Sequence, residues 1–216
     1  MLLPCRHSAK LNDVVDYPPM PVGVEWDGIK IAYLDRDGVL NIGSKNYINS
    51  ISELIVFPDA GDTIAEIRKN GYRICIVTNQ SPIGRGNWDH DNLAKIHDEL
   101  KSELLLQNSD AHLDLILYSP YAPWENSWAR KGNPGMLQVG RQILTNDTNE
   151  PIRQFNFGPD YIPSSKGSSF MVGDRDVDIE AGIRFGIRSF YCDPRVGISD
   201  VLSRLLDVSD IGDELL

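Results

Sequence analysis

Residues 29–41 read IKIAYLDRDGVLN, a short apolar run that ends on two aspartates, Asp35 and Asp37, one residue apart, with Gly38 directly behind them. Side chains of an extended chain alternate between two faces, so a strand continued past Leu34 projects both carboxylates to the same side. At about 5 Å and an effective dielectric near 20 they repel by roughly 3 kcal/mol. A structure has little reason to pair them, so the stretch marks a place where charge is used.

Downstream the chain alternates strand-like and helix-like segments. The strand candidates are residues 29–34, 73–78, 113–119, 169–173 and 188–191, all short and rich in apolar, β-branched or aromatic residues, as in strands buried on both faces. Between them Ile64 and Ile67 mark a helix over 59–70, Leu93, Ile96, Leu100 and Leu104 stripe another over 91–107, and Ile179 and Ile183 suit a short one before Gly186. This alternation predicts an α/β fold with a central, mostly parallel, five-stranded sheet between two helical layers. Ligands bind such sheets beyond the carboxyl ends of the strands. Asp35 and Asp37 follow the first strand, Thr78 and Asn79 the second, and Asp174 the fourth, so this edge is the expected site.

Residues 1–28 lack periodicity and contain YPPMPVG, which reads as an irregular arm before a single domain over 29–216. Residues 145–168 are polar and broken by Pro and Gly, the pattern of a loop insertion. A net charge of −10 and a pI near 4.8 oppose the electrostatic footprint of a nucleic-acid binder or a protein on an anionic membrane. No apolar run reaches a membrane span and the first residues do not read as a signal peptide, so a cytoplasmic location is expected. The three cysteines, Cys5, Cys75 and Cys192, are too scattered for a disulfide framework or a four-cysteine zinc site.

Carboxylates from two strand ends can share Mg²⁺, which prefers a few oxygen ligands completed by water and substrate phosphate. With charge so relieved, one carboxylate can attack phosphorus while the other moves protons, and Asp37 suits the second task. The transferring phosphoryl group needs donors and positive charge. Thr78 and backbone amides supply donors, Lys131 a compact cation, and Arg130 and Arg85 a hold on the rest of a phosphorylated substrate.

Four segments, YLDRDGVLN at 33–41, VTNQSPIGRG at 77–86, ARKGNPGML at 129–137 and MVGDRDVDIEAG at 171–182, together resemble the motif regions of the haloacid dehalogenase-like phosphatases. More narrowly they are similar to the branch that holds heptose bisphosphate and histidinol phosphatases. The resemblance implies a Rossmann-like α/β/α sandwich without a large cap domain, and Mg²⁺-dependent phosphatase chemistry through an aspartyl-phosphate. By motif position Asp35 becomes nucleophile and metal ligand, and Asp37 the general acid/base whose backbone carbonyl also binds the metal. Thr78 and Asn79 bind phosphate, Lys131 neutralises it, Asp174 completes the metal site, and Asp178 supports that site through water. Arg175 takes a phosphate or supporting role.

Three departures stand out. Residues 118–136, YSPYAPWENSWARKGNPGM, lack the cysteines and histidine of the branch's zinc loop, so no structural zinc is expected; Tyr118, Tyr121, Trp124 and Trp128 are expected to pack instead, with contact to substrate as the alternative. Pro82 stands where relatives often carry glycine, and Gly132 interrupts a usual lysine-proline pair. The expected partner is a small phosphorylated metabolite, a sugar phosphate or bisphosphate, with no nucleic acid or membrane and no oligomeric state legible. The competing readings are a histidinol-phosphate phosphatase, a nucleic-acid 3′-phosphatase, and a catalytically idle binding protein of the same fold. The acidic end, with Asp207, Asp210, Asp213 and Glu214, reads as solvated.

Overall fold

The computed structural model describes residues 2–163 and 165–215. Its strands are β1 (Cys5–Arg6), β2 (Ile31–Leu34), β3 (Arg73–Asn79), β4 (Leu115–Ser119), β5 (Phe170–Gly173) and β6 (Arg188–Tyr191). They form one sheet in the order β1-β4-β3-β2-β5-β6, in which only β1 runs antiparallel to its neighbour. The expected five parallel strands are therefore present, and the count is corrected to six. The extra strand pairs Cys5 with Tyr118 and Arg6 with Leu117, and two residues are too few to leave a period in the sequence.

The helices are α1 (Ala60–Lys69), α2 (His90–Gln107), α3 (Gly135–Leu144), α4 (Asp176–Phe185) and α5 (Leu202–Leu206). Strand alternation sorts the core into two layers. Ala32, Leu34, Ile74 and Ile76 face α1, α2 and α5 through Ile64, Ile67, Leu100, Leu104 and Leu205. Ile31, Tyr33, Cys75 and Val77 face α3 and α4 through Met136, Val139, Ile143, Ala181 and Phe185. The result is the expected three-layer sandwich. α3 is not among the helices expected from the sequence, and every residue of it but Gln142 is buried. No helix among the described residues is long and apolar enough to cross a membrane.

Both chain ends lie against the sheet. The Tyr17 hydroxyl donates to the Ile143 carbonyl at 2.8 Å, and Arg73 stacks over Tyr17 and Trp26 at 4.2 and 4.9 Å from the ring centroids. The acidic end is only partly the solvated tail expected. Asp210 and Asp213 pair with Arg204 at 2.8 Å each, and the Asp213 amide donates to the Ser189 carbonyl at 2.7 Å beside β6.

Candidate active site

Chain order fixes the place of the site. The strands step outward from β2 through β3 to β4, then cross back to β5 on the other flank of β2, so the order reverses at β2. The Asp35 amide donates to the Val172 carbonyl at 2.9 Å, carrying β2 pairing one residue into the site. The Arg36 carbonyl then accepts from the amides of Val39, Leu40 and Asn41 at 3.3, 2.9 and 3.3 Å, closing a turn. Gly38 sits in that turn at φ +82°, where a Cβ would lie 2.5 Å from Asp174 Oδ2. A side chain there would push aside the carboxylate arriving from β5. Gly173 meets the same restriction, since a Cβ on it would overlap Asp178.

These tight turns concentrate acid. Oxygen atoms of Asp35, Asp174 and Asp178 lie within 4.8 Å of one another. Lys131, 4% exposed, bridges two of them, with Nζ 2.6 Å from Asp35 Oδ1 and 2.7 Å from Asp178 Oδ1. Burial pushes the Asp35 carboxyl up to about 6 against the pull of Lys131, with Asp178 and Asp37 adding to the rise. Burial likewise lifts Asp174 to about 6, with Asp35 adding to the rise. Asp178 also rises through burial, although Lys131 opposes it. Burial disfavours the Lys131 ammonium, but Asp178 and Asp35 outweigh it and hold the group charged.

One ammonium does not balance three carboxylates, and Asp174 Oδ1 is buried with no hydrogen-bond partner. A hard, oxygen-seeking divalent cation fits that donor set. Asp178, expected to support the site, is buried inside the acidic group and paired directly with Lys131.

Asp37 stands apart from this group. Its Oδ1 accepts from Arg36 Nε at 3.1 Å, Arg36 Nη2 at 3.0 Å and Asn41 Nδ2 at 3.0 Å. Its Oδ2 accepts from Arg36 Nη2 at 2.8 Å and Gln80 Nε2 at 3.2 Å. Burial alone would raise this carboxyl, but Arg36 first, then Asn41 and Gln80, hold it below the usual range. Two neighbouring aspartates are thus driven in opposite directions in the metal-free site, Asp35 up and Asp37 down.

A cleft of about 510 Å³ opens over these residues, lined among others by Asp35, Asp37, Thr78, Lys131 and Asp174. Thr78 Oγ1 accepts from Gln80 Nε2 at 2.9 Å and keeps its own proton to donate. Asn79 also lines the cleft, and its side chain is engaged with the backbone of Lys131, donating to the carbonyl at 3.2 Å and accepting from the amide at 3.1 Å. Arg175 lines the wall. Arg130 and Arg85 do not: Arg130 Nη1 donates to the Tyr121 carbonyl at 2.9 Å, and the Arg85 guanidinium lies 5.0 Å from the Trp124 ring centroid.

Sequence reasoning missed Arg36, Asn41 and Gln80, although each sits within two residues of a motif aspartate or threonine or one helical turn from it. It also missed Ser44, Lys45 and Tyr47, which bring the segment after β2 over the cleft. Of the four loop aromatics, Tyr118 is buried, the Tyr121 hydroxyl donates to the Leu3 carbonyl at 2.6 Å, and Trp128 Nε1 donates to Gln138 Oε1 at 2.9 Å. Trp124 remains 68% exposed beneath Arg85 and does not pack as expected.

A doubly wound sheet with opposed carboxylates, a buried lysine and a hydroxyl donor at its switch point is the arrangement expected of the haloacid dehalogenase-like phosphatases that the sequence motifs resemble. No family model matches the chain. It is 36% identical over 158 residues to the D-glycero-beta-D-manno-heptose-1,7-bisphosphate 7-phosphatase of Pseudomonas putida, a match over 73% of this chain and 79% of that protein. It is 31% identical over 171 residues to the D-glycero-alpha-D-manno-heptose-1,7-bisphosphate 7-phosphatase of Photorhabdus laumondii, covering 76% and 82%. The D,D-heptose 1,7-bisphosphate phosphatase of B. bronchiseptica, solved with magnesium and phosphate, has the same fold at a TM-score of 0.66 and 24% identity, covering 82% of this chain and 98% of that one. The chain belongs to the heptose-1,7-bisphosphate 7-phosphatase family of these enzymes.

Proposed function

We propose that the chain is a Mg²⁺-dependent phosphomonoesterase that removes one phosphate from a phosphorylated sugar, a heptose 1,7-bisphosphate or a close analogue, through an aspartyl-phosphate on Asp35. The observation that carries this reading is the buried triad of Asp35, Asp178 and Lys131 beside an unpartnered Asp174 oxygen, because it leaves negative charge that only a cation completes. The names of the relatives support the sugar bisphosphate. Asp35 and Asp174, with Asp178 alongside, would hold Mg²⁺, which when bound supplies charge neutralisation at the phosphoryl oxygens.

The chain's own groups carry the rest. In the first step Asp35 attacks phosphorus, the bond from phosphorus to the sugar oxygen breaks, and Asp37 gives its proton to that oxygen. In the second, water attacks the phosphorylated Asp35, Asp37 takes the water's proton, and inorganic phosphate leaves with the Asp35 carboxylate restored. Thr78 and Lys131 donate to the phosphoryl oxygens in both steps. Lys45, Tyr47 and Arg175 surround the remainder of the substrate. Free thiols at Cys5, Cys75 and Cys192 suit a reducing cytoplasm, and the reading needs no zinc.

Phosphate release with Mg²⁺ is the test, measured side by side on heptose 1,7-bisphosphate, histidinol phosphate and a 3′-phosphorylated oligonucleotide. The bisphosphate is expected to turn over fastest, and Asp35→Asn to abolish release, a loss of at least about 10⁴-fold. Full activity in that variant sinks the nucleophile. Preference for histidinol phosphate or the oligonucleotide replaces the substrate, and no turnover of any ester returns the idle binding protein.

A further inference from the structure

Arg36 is a buried arginine that the steps above do not use. It is 0% exposed, follows the candidate nucleophile directly, and with Arg68 is the largest fully buried side chain among the described residues. Three of the five bonds that hold the Asp37 carboxylate come from its guanidinium, through Nε and Nη2, and the shortest of the five, at 2.8 Å, is one of them. Asn41 and Gln80 contribute one bond each. The guanidinium is planar and rigid, so a two-nitrogen contact fixes the plane of a carboxylate as well as its position, which a single ammonium does not do. The Arg36 main chain is fixed too, since its carbonyl closes the turn through residues 39–41. Neither end of the contact is free to drift.

We propose that Arg36 is a positioning residue for the proton-transfer steps: it holds the Asp37 carboxylate in the one orientation from which it reaches the leaving oxygen and then the attacking water. This rests on the phosphatase reading of the site and goes beyond it, because it assigns the alignment of the general acid/base to a residue outside the cleft lining. A misplacement of about 1 Å costs on the order of 10²-fold in such a step, and that is the size of effect expected.

A purely structural Arg36 and a positioning Arg36 separate when the leaving group no longer needs a proton. p-Nitrophenolate leaves unprotonated, so the first step on p-nitrophenyl phosphate is indifferent to Asp37, while hydrolysis of the phosphorylated Asp35 still needs it. In stopped-flow measurements with Mg²⁺, Arg36→Met is expected to give a nitrophenol burst of one per folded site at a rate within about threefold of wild type, followed by slow turnover. On heptose 1,7-bisphosphate its kcat is expected to fall about 10²-fold with KM little changed and without any burst. The burst amplitude counts folded sites, and circular dichroism checks the fold. If Arg36→Met does not fold, Arg36→Lys serves, since it keeps the buried charge but not the fork, and the same split is expected in smaller measure. Equal losses in burst and steady state, or unchanged turnover of the bisphosphate, overturn the inference. A wild type that releases no phosphate from either ester overturns the phosphatase reading beneath it, a result distinguishable from both.

Discussion

At the amino-terminal edge of the sheet one carboxylate faces two guanidiniums: Asp114 lies 2.6 Å from Arg68 Nη1 and 2.6 Å from Arg73 Nη1, and it also accepts from the Ile74 amide at 2.8 Å. At the carboxyl edge one ammonium, Lys131, faces Asp35 and Asp178, with Asp174 beside them. Both groups join aspartate to basic side chains, and the balance is reversed. Asp114 has a partner for each oxygen, and Arg68 Nη2 also reaches the Pro19 carbonyl at 2.6 Å, so the group joins the arm, α1 and the sheet. The other group retains negative charge and an unpartnered oxygen, which it can satisfy only by taking up something from solvent. A buried carboxylate group with an oxygen left unpartnered is a candidate binding site; a carboxylate with both oxygens paired is a rivet.

Breaking the rivet has the largest expected effect on stability. Asp114→Ala leaves two guanidiniums uncompensated in the interior, at a cost of about 3–5 kcal/mol. In a chain of this size that corresponds to a fall in Tm of roughly 10 °C by differential scanning calorimetry, with phosphate release by the folded fraction unchanged. A drop of only a degree or two would show that the two ends are not as different as their partners imply.

Filling the open end has the next largest effect. Mg²⁺ at a hundred times its Kd is expected to stabilise the wild type by about 2.7 kcal/mol and Asp174→Asn far less, as followed by thermal unfolding with and without EDTA. Equal stabilisation of both would move the metal elsewhere.

The smallest effect is the pH dependence of the metal-free protein. Asp35 and Asp174 are raised from 3.8 to about 6 in the folded state, so between those values the folded chain binds more protons than the unfolded one. Their contribution to stability is therefore fully present below about pH 4 and is lost as pH rises through about 6. In EDTA the wild type should lose a few degrees of Tm more than Asp35→Asn does between pH 4 and 7, and Mg²⁺ should remove that difference. An identical profile for the two proteins would place the repulsion somewhere other than Asp35.

The parallel strands and the residues at their ends were legible because each rests on a local signal: an apolar run, then a carboxylate or hydroxyl. Asp35, Asp37, Thr78, Asn79, Lys131 and Asp174 all line the same cleft. What stayed hidden needed three dimensions. Whether Asp178 stands behind the acidic group or within it depends on how closely α4 approaches β5, which Gly173 permits. Arg130 and Arg85 look like substrate ligands in sequence, yet a carbonyl and an indole ring engage them outside the cleft lining. Arg36 was obscured by alternation itself, which assigns it to the face opposite its neighbours, whereas the turn lets its long side chain come back to Asp37.

The N-terminal arm adds a constraint of timing. The Leu2 and Leu3 carbonyls accept from Ser127 Oγ at 3.2 Å and Tyr121 Oη at 2.6 Å, and Cys5 pairs with Tyr118, so the first residues fasten the loop that delivers Lys131. During synthesis these residues leave the ribosome well before their docking surface, which emerges more than a hundred residues later. That stretch is thus among the last to find its place, and the lysine loop is clasped only when it does.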